Sequence, residues 1–530
     1  MELNNVKESP VDAVVDTAAV PAETDVLIVG AGPTGLALAL DLARHGVRAL
    51  VVERSATLFP GSRGKGIQPR TQEVFDDFGV LDALRAGGGT YPVGMIWKDG
   101  RRQGEHRMFD EVEATEADPY AGFALMVPQW RTQEILYARL AELGGGVAFG
   151  RELVGLAQDA DGVTASFASG TPVRARYAVA ADGGRSAVRR ALGIRMTGET
   201  VDPAPALVAD IRVTGLDRDN WHFFPPTDAT DTVGEGKDGG KGKGGGEGGR
   251  GLQGGFLGIC PLPHTEDFQL AAGFSDPSAE PDLSLDGIRK LVATRTHLSA
   301  DDVTEVRWAS EFRPRAAMAD RFRDGRIFLA GDAAHVHSPA GGQGLNTSVQ
   351  DAYNLGWKLA AVLRGSAPAA LLDSYEEERM PIAAQMLGLS TGVHRGEVRR
   401  GAATQQLGLG YRGSALAVES RTDLPAEALR AGDRAPDGTR AGTRLFDAFR
   451  GPHWTLLAVG TDTPVPDLPG VRTVRFPAYE AYGTGVFLVR PDGYVGWAGG
   501  SDPSGESGGS AGSAGSARGL AEYAARAGAL

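Results

Sequence analysis

Two stretches of the chain hold residue types at spacings that can do chemistry. The first is "GDAAHVHSPAGGQGLN", residues 331 to 346, which comes after the apolar run "RIFLA" and precedes "TSVQDAYNLGWKLAAVL", a long helix by its pattern. It sets Asp332 at a strand end, then His335, His337 and Pro339, then Gly341, Gly342 and Gly344. Three uses compete for that set: a metal site, a phosphate cradle, or a platform for a large planar group. A zinc or iron site wants three or four ligands of compatible geometry, and only Asp332 stands at motif spacing beside the two histidines. The other residues combine better as a platform. Asp332 can hydrogen-bond a polyol, Pro339 stiffens the turn, and the glycines let backbone approach a flat ring. The helix beginning near Leu345 and Asn346 aims its positive end at that ring, which suits one that gathers negative charge on reduction, as a flavin does.

The second stretch is Gly30-Ala31-Gly32-Pro33-Thr34-Gly35, a GxGxxG motif with its full context. An apolar run precedes it, a helical pattern comes after it, and Glu53 closes the next apolar run. The first glycines permit a tight turn and close approach of a pyrophosphate; the third lets helix and strand pack closely. Phosphate charge then meets the helix N-terminus. Glu53 would accept ribose hydroxyls and repel a 2′-phosphate, so the site wants FAD or NAD. Two other matches fail on context. "GLGYRG" at 408–413 has polar "ATQQ" before it, and "GGSAG" at 508–512 lies in Gly/Ser-rich sequence with no strand–turn–helix.

These motifs need elements to position them. Residues 25–54 read as a strand–helix–strand unit, "MVPQWRTQEILYARLAELGGGVAFG" as a helix then a strand, and "RARYAVAADGGRSAVRRALG" as a strand ending at Asp182 before a helix. From Gly193 to Glu311 short extended runs suggest a sheet-rich second domain. Inside it, the low-complexity insert 234–251 cannot bury a core. "HWTLLAVG", "VRTVRF" and "TGVFLVRPDGYVGW" read as strands of a third, small α/β unit.

The 530 residues exceed one compact core, so two or three domains are expected. The net charge of −13 argues against a nucleic-acid partner, and no apolar run reaches the ~20 residues of a membrane span. The polar N-terminus does not read as a secretory signal. The single cysteine, Cys260, excludes intrachain disulfides and CxxC chemistry, which suits a cytoplasmic setting.

Over roughly residues 23 to 395 the chain resembles the class A flavoprotein monooxygenases, the para-hydroxybenzoate hydroxylase-like family. Three motifs carry the resemblance in order: GxGxxG with Glu53-Arg54, the DG motif "AADGGRSAVR", and the GD motif of residues 331 to 346. The resemblance implies a Rossmann-like FAD-binding domain (23–90, 123–193 and 311–400). Interleaved with it is a β-sheet-rich substrate domain (91–122 and 194–310), with flexible tails at 1–22 and 501–530. Residues 430–500 are similar to the thioredoxin-like α/β appendage of the phenol and polyketide hydroxylase branch, without its CxxC. By resemblance, Asp332 binds the ribitol and the backbone from Gly341 to Asn346 meets the isoalloxazine. Arg63 in "GSRGKGIQPRTQEVF" and Gln129 in "VPQWRTQE" match positions that touch FAD, and Asp182 belongs to the motif associated with both FAD and NAD(P)H. Arg63 and Pro339 stand nearest the chemistry, with no dedicated acid or base. The activity implied uses tight, non-covalent FAD, NADPH or NADH as co-substrate, and molecular oxygen. Through a flavin hydroperoxide it hydroxylates an electron-rich aromatic, a polycyclic polyketide intermediate. Baeyer–Villiger insertion into a ring ketone is the alternative outcome, and a flavin-binding sensor the non-enzymatic one. No metal is expected; a homodimer is.

Overall fold

The computed structural model describes residues 21–122, 125–226, 255–462, 464–500 and 517–530. The insert expected at 234–251 lies outside them, as do residues 1–20 and 501–516 of the expected tails.

The run Glu23–Val29 is apolar without alternation, the pattern of a strand covered on both faces, and Val26, Leu27 and Ile28 are wholly buried. It lies in an eight-stranded sheet whose main path runs Arg323–Asp324, Ile327–Leu329, Val173–Ala180, Glu23–Val29, Ala49–Val52 and Val147–Ala148. All neighbours on that path are parallel except the first pair. Register sets which strand ends lie level. Val29 stands beside Ala180 and Val52, and Ala180 beside Leu329. The segments that leave these strands therefore emerge at one sheet edge: Gly30, Glu53, Ala181-Asp182 and Ala330-Gly331-Asp332. The C-terminal edge of a parallel sheet is where such folds bind ligands.

Two helices bring the motifs together at that edge. Pro33–Arg44 starts directly after the glycine turn, with Pro33 in its first turn, where its fixed φ and missing N–H cost nothing. It packs against the long helix Gly344–Arg364, closely enough that a side chain at Gly356 would lie 2.2 Å from Asp41 Oδ2.

A second, seven-stranded sheet runs Val303–Phe312, Ala206–Val213, Phe268–Gly273, Leu257–Pro261, Asn220–Phe224, Val93–Lys98 and Arg101–His106. Its residues alternate between two faces. Leu207, Ala209, Ile211, Leu257, Ile259, Leu270 and Ala272 share a core with Ile288, Leu291 and Val292 of the helix Leu285–Arg295. Asp210, Gln269 and Cys260 alternate to the opposite face and stand in one row, with Asp210 also level with Trp308.

The C-terminal sheet runs Val418–Glu419, Val495–Gly499, Gly485–Val489, Thr455–Val459 and Arg472–Phe476. Its residues Leu456, Ala458, Leu488 and Trp497 join the same core as the first sheet, and Trp357 meets Trp454 edge-on at 5.4 Å. The expectation of a flexible tail reaching residue 530 does not hold. Ala517–Ala527 is a helix that buries Leu520, Tyr523, Ala524 and Ala527, an i, i+3, i+4, i+7 stripe hidden behind Gly/Ser-rich sequence. Tyr523 Oη donates to the Leu416 carbonyl at 2.9 Å, which ties the helix down. The mixed α/β class expected from the sequence is the class observed.

Candidate functional site: a cofactor groove at the sheet edge

The glycine turn has little room on its protein side. Gly30 takes φ +107°, and a Cβ there would lie 2.4 Å from the Ala181 carbonyl oxygen. A Cβ at Gly35 would lie 2.0 Å from the Gly30 oxygen, while one at Gly32 would meet no atom within 4 Å. So Gly30 and Gly35 serve packing, and Gly32 faces open space. The helix after this turn has no side-chain cap and no acidic residue in its first turn, leaving its amides and positive dipole end available. Glu53 sits at this turn, accepting from the amides of Ala31 at 3.0 Å and Ser55 at 2.9 Å. Arg54 is exposed beside it.

Asp182 reaches the groove from the neighbouring strand. Its Oδ2 accepts from the amides of Ala187 at 2.7 Å and Val188 at 3.3 Å, at the start of the helix Ala187–Ala191. Its Oδ1 is buried without a hydrogen-bond partner among the described residues, and burial raises the carboxyl's pKa. Gly331, at φ +62°, has Thr34 Oγ1 2.5 Å and Ser348 Oγ 3.0 Å from where a Cβ would stand. The GD motif is thereby pressed onto the first turn of one helix and the second turn of the other. Asp332 next to it is exposed to the groove yet ringed by protein; the ring raises its pKa, while His335 and Arg63 oppose the shift.

The platform is held from below. Asn346 donates to the carbonyls of Gly66 and Gly342, both at 2.9 Å, and accepts from the Gln68 amide at 2.8 Å. It thus clamps two loops at once. Gly64 donates its amide to Gln129 Oε1 at 3.0 Å, and a Cβ at Gly64 would lie 3.5 Å from both that oxygen and Leu345 Cδ1. Gly342 takes φ +64°, and Pro339 opens the short turn Pro339–Gly341 with its ring exposed. A Cβ at Gly341 would lie 2.7 Å from Ser390 Cβ. Arg63 lies over Phe59 at 5.0 Å and Trp308 at 5.8 Å, near Asp332 and Arg185.

Sequence reading missed the buried supports of this loop. Gln343 donates to the Gly341 carbonyl at 2.8 Å and accepts from Gln406 at 2.7 Å. His335 bridges His337 at 2.9 Å and Asp351 at 2.6 Å, and Arg379 donates to the other oxygen of Asp351 at 2.7 Å. The two histidines are thus engaged in an internal chain. Burial would raise Asp351, but His335 and Arg379 bring its pKa down to about 2. Burial, with His335 beside it, lowers His337 from 6.5 to about 3. Between those values the unfolded chain binds a proton at this residue and the folded chain does not. The contribution is therefore lost as pH falls below 6.5. The stability gap between wild type and His337→Gln is expected to narrow as pH drops from about 7 to about 4, read as melting temperature against pH.

Known proteins resemble this chain over most of its length. It is 45% identical over 486 residues to a flavin-dependent monooxygenase of Mycobacteroides abscessus, covering 89% of this chain and 96% of that protein. It is 34% identical to the 12-dehydrotetracycline 5-monooxygenase/anhydrotetracycline 6-monooxygenase of Streptomyces rimosus, covering 89% and 95%. Among solved structures, anhydrotetracycline hydroxylase from Streptomyces rimosus matches with TM-score 0.70 and 30% identity over 96% of this chain and 99% of that one. Aklavinone-11 hydroxylase, solved as a ternary complex with FAD and aklavinone, matches with TM-score 0.75 and 28% identity over 95% and 98%. The FAD binding domain family matches residues 23–390. The chain belongs to that family and is an FAD-dependent monooxygenase.

Proposed function

We propose that this enzyme hydroxylates a polycyclic phenol of the aromatic polyketide type, with NADPH or NADH as co-substrate. The observation that carries the reading is the convergence, at one sheet edge, of the turn Gly30–Gly35, Glu53, Asp182 and Asp332 with the loops 62–66 and 341–346. Beside those loops stands the second sheet's face of Trp308, Asp210, Gln269 and Cys260. The names of the relatives support the substrate class.

The groove fits FAD. Gly32 leaves open space at an uncapped helix N-terminus, and Asp182 Oδ1 is a buried acceptor without a donor among the described residues. When bound, FAD would take hydride from NAD(P)H and activate molecular oxygen. The chain's own residues do the rest. The amides of the first turn, Thr34 and Gly35 among them, receive the pyrophosphate, with Pro33 setting that turn. Glu53 holds the ribose, and Asp332 holds the ribitol. Gln129, Leu345 and Asn346 fix the loops that flank the ring; Gly341 makes room for Ser390, while Gly342 and Gly344 keep side chains off the ring. Arg63 and Pro339 line its approaches, and Arg54 stands beside Glu53 at the ribose end. The second sheet shields the ring from water.

We also read residues 430–500 as thioredoxin-like. What supports this is the strand order 472–476, 455–459, 485–489, 495–499, a parallel pair with two antiparallel additions. With no CxxC, its role is packing. Among the described residues no helix is long and apolar enough to cross a membrane; cytoplasmic location and a homodimer belong to the same reading.

The test is purification of a yellow protein whose NADPH oxidation rises only when a polycyclic phenol is added. Substrate-independent oxidation at the full rate would contradict the proposal. Glu53→Ala and Asp332→Ala are each expected to weaken FAD binding by about 1.5–3 kcal/mol, roughly 10- to 150-fold. Flavin titration of the apoprotein measures it, and unchanged affinity in both removes the assignment.

A further inference from the structure

The loop "GSRGKG", Gly61–Gly66, lies between the cofactor groove and the second sheet, and its residues divide between the two. Gly64 turns to Gln129 and Leu345, and Gly66 offers its carbonyl to Asn346. On the other side a Cβ at Gly61 would strike the Trp308 ring at 2.2 Å, and the Ser62 amide donates to Asp210 Oδ2 at 2.9 Å. Lys65 turns to the sheet as well. Its Nζ donates to Gln269 Oε1 at 2.7 Å and stands 4.2 Å from the centre of the Trp221 ring. The row Trp308, Asp210, Gln269, Cys260 thus meets the loop residue by residue.

Lys65 is 7% exposed, and a lysine is rarely this buried without an anion. Among the described residues no carboxylate lies within salt-bridge distance of its nitrogen; its neighbours are an amide oxygen, an indole and the Cys260 thiol. Burial lowers its pKa, with Cys260 and Asp210 opposing and Arg400 adding to the fall. The nearby Trp221 Nε1 is a second donor, buried with no hydrogen-bond partner among the described residues. Two donors with no anionic acceptor, beside the flat surfaces of Trp221, Tyr91 and Phe223, call for an aromatic oxyanion. Burial favours the uncharged amine, which can accept a proton, and the cation so formed is stabilised once the oxyanion lies beside it.

Resting on the monooxygenase reading, we propose that Lys65 takes the proton of a phenolic hydroxyl of the substrate and then holds the phenolate oxygen. The phenol O–H bond breaks, an N–H bond forms on Nζ, and the bonding pair stays on oxygen; nothing is oxidised in this step. The phenolate is more electron-rich than the phenol, so the same contact that binds the ring prepares it for hydroxylation. The substrate class is fixed accordingly: an aromatic with an ionisable hydroxyl.

The probe is a dihydroxyanthraquinone, danthron, whose visible band moves on ionisation, titrated into the holoenzyme at a pH below its own pKa. Wild type is expected to bind it with the band of the anion. Lys65→Met, which removes charge while filling the same space, is expected to keep its flavin and melting temperature. It should bind the neutral form at least about tenfold more weakly. Lys65→Arg should restore part of the anion band, which a merely structural role would not do. An anion band that survives in Lys65→Met, or a wild type that leaves the probe neutral or unbound, overturns the proposal. Flavin absorbance and NADPH-driven oxygen uptake are recorded on the same samples with the substrates of the yellow-protein assay. A colourless wild type without oxygen uptake contradicts the underlying reading and the proposal with it, whereas a yellow, active one that fails the probe test loses the proposal alone.

Discussion

Gly35→Val is expected to give protein nearly devoid of flavin. The added Cβ would stand 2.0 Å from the Gly30 carbonyl oxygen and 3.3 Å from Ile28 Cγ2. The obstacle is backbone, so no rotamer change relieves it. Either the helix Pro33–Arg44 lifts off the strand Glu23–Val29 or the glycine turn deforms, and both spoil the groove. Overpacking of this kind costs about 1–3 kcal/mol or more in stability, and the turn bears most of it. Flavin absorbance per protein, read beside the melting temperature, measures the effect. Gly32→Ala is the companion variant. Its methyl meets no protein atom within 4 Å, so the fold is expected to survive and any flavin loss reports the cofactor itself. Full flavin content in Gly35→Val would show that the turn does not grip the cofactor.

Arg490→Met is expected to be the most destabilising single change at the junction of the C-terminal unit. Arg490 donates to both oxygens of Glu378, at 2.6 and 2.9 Å, and to Asp492 Oδ1 at 2.9 Å. Lys358 meets Glu378 at 2.7 Å, and Trp357 Nε1 donates to Asp492 at 3.1 Å. Glu378, Lys358, Arg490 and Asp492 are all buried, so removing one cation leaves carboxylates unbalanced in a low dielectric. That costs about 3–5 kcal/mol, or a melting temperature lower by roughly 3–5 °C. Burial would raise Glu378, but Arg490 and Lys358 hold its pKa well below 4.5. Its contribution is present above pH 4.5 and lost as pH falls. The wild-type margin over Arg490→Met should therefore shrink on acidification. A difference under about 1 kcal/mol, the size of a surface pair, would mean the cluster does not pin the unit.

The cofactor groove was legible in sequence because its parts are local. An apolar run, a glycine turn and a helix stand together at 25–44, and strand register alone then brings Asp182 and Asp332 to the same edge. The residues that hold the groove in shape were not legible, because their partners are distant in the chain. Asp351 binds His335 from the middle of the next helix and Arg379 from a helix beyond it, while Gln343 depends on Gln406. Lys65 became visible only once four strands were aligned against its loop. The last helix was missed for another reason: Gly and Ser dominate the composition of 501–516 and mask the stripe Leu520, Tyr523, Ala524, Ala527.

The most direct test of the central claim is to supply labelled oxygen gas with NADPH and a polycyclic phenol, and to locate the label in the product. One labelled atom is expected, in a new phenolic hydroxyl, for each NADPH consumed. Label inside a ring ester that opens in base, or NADPH consumption with no label in any organic product, would contradict it.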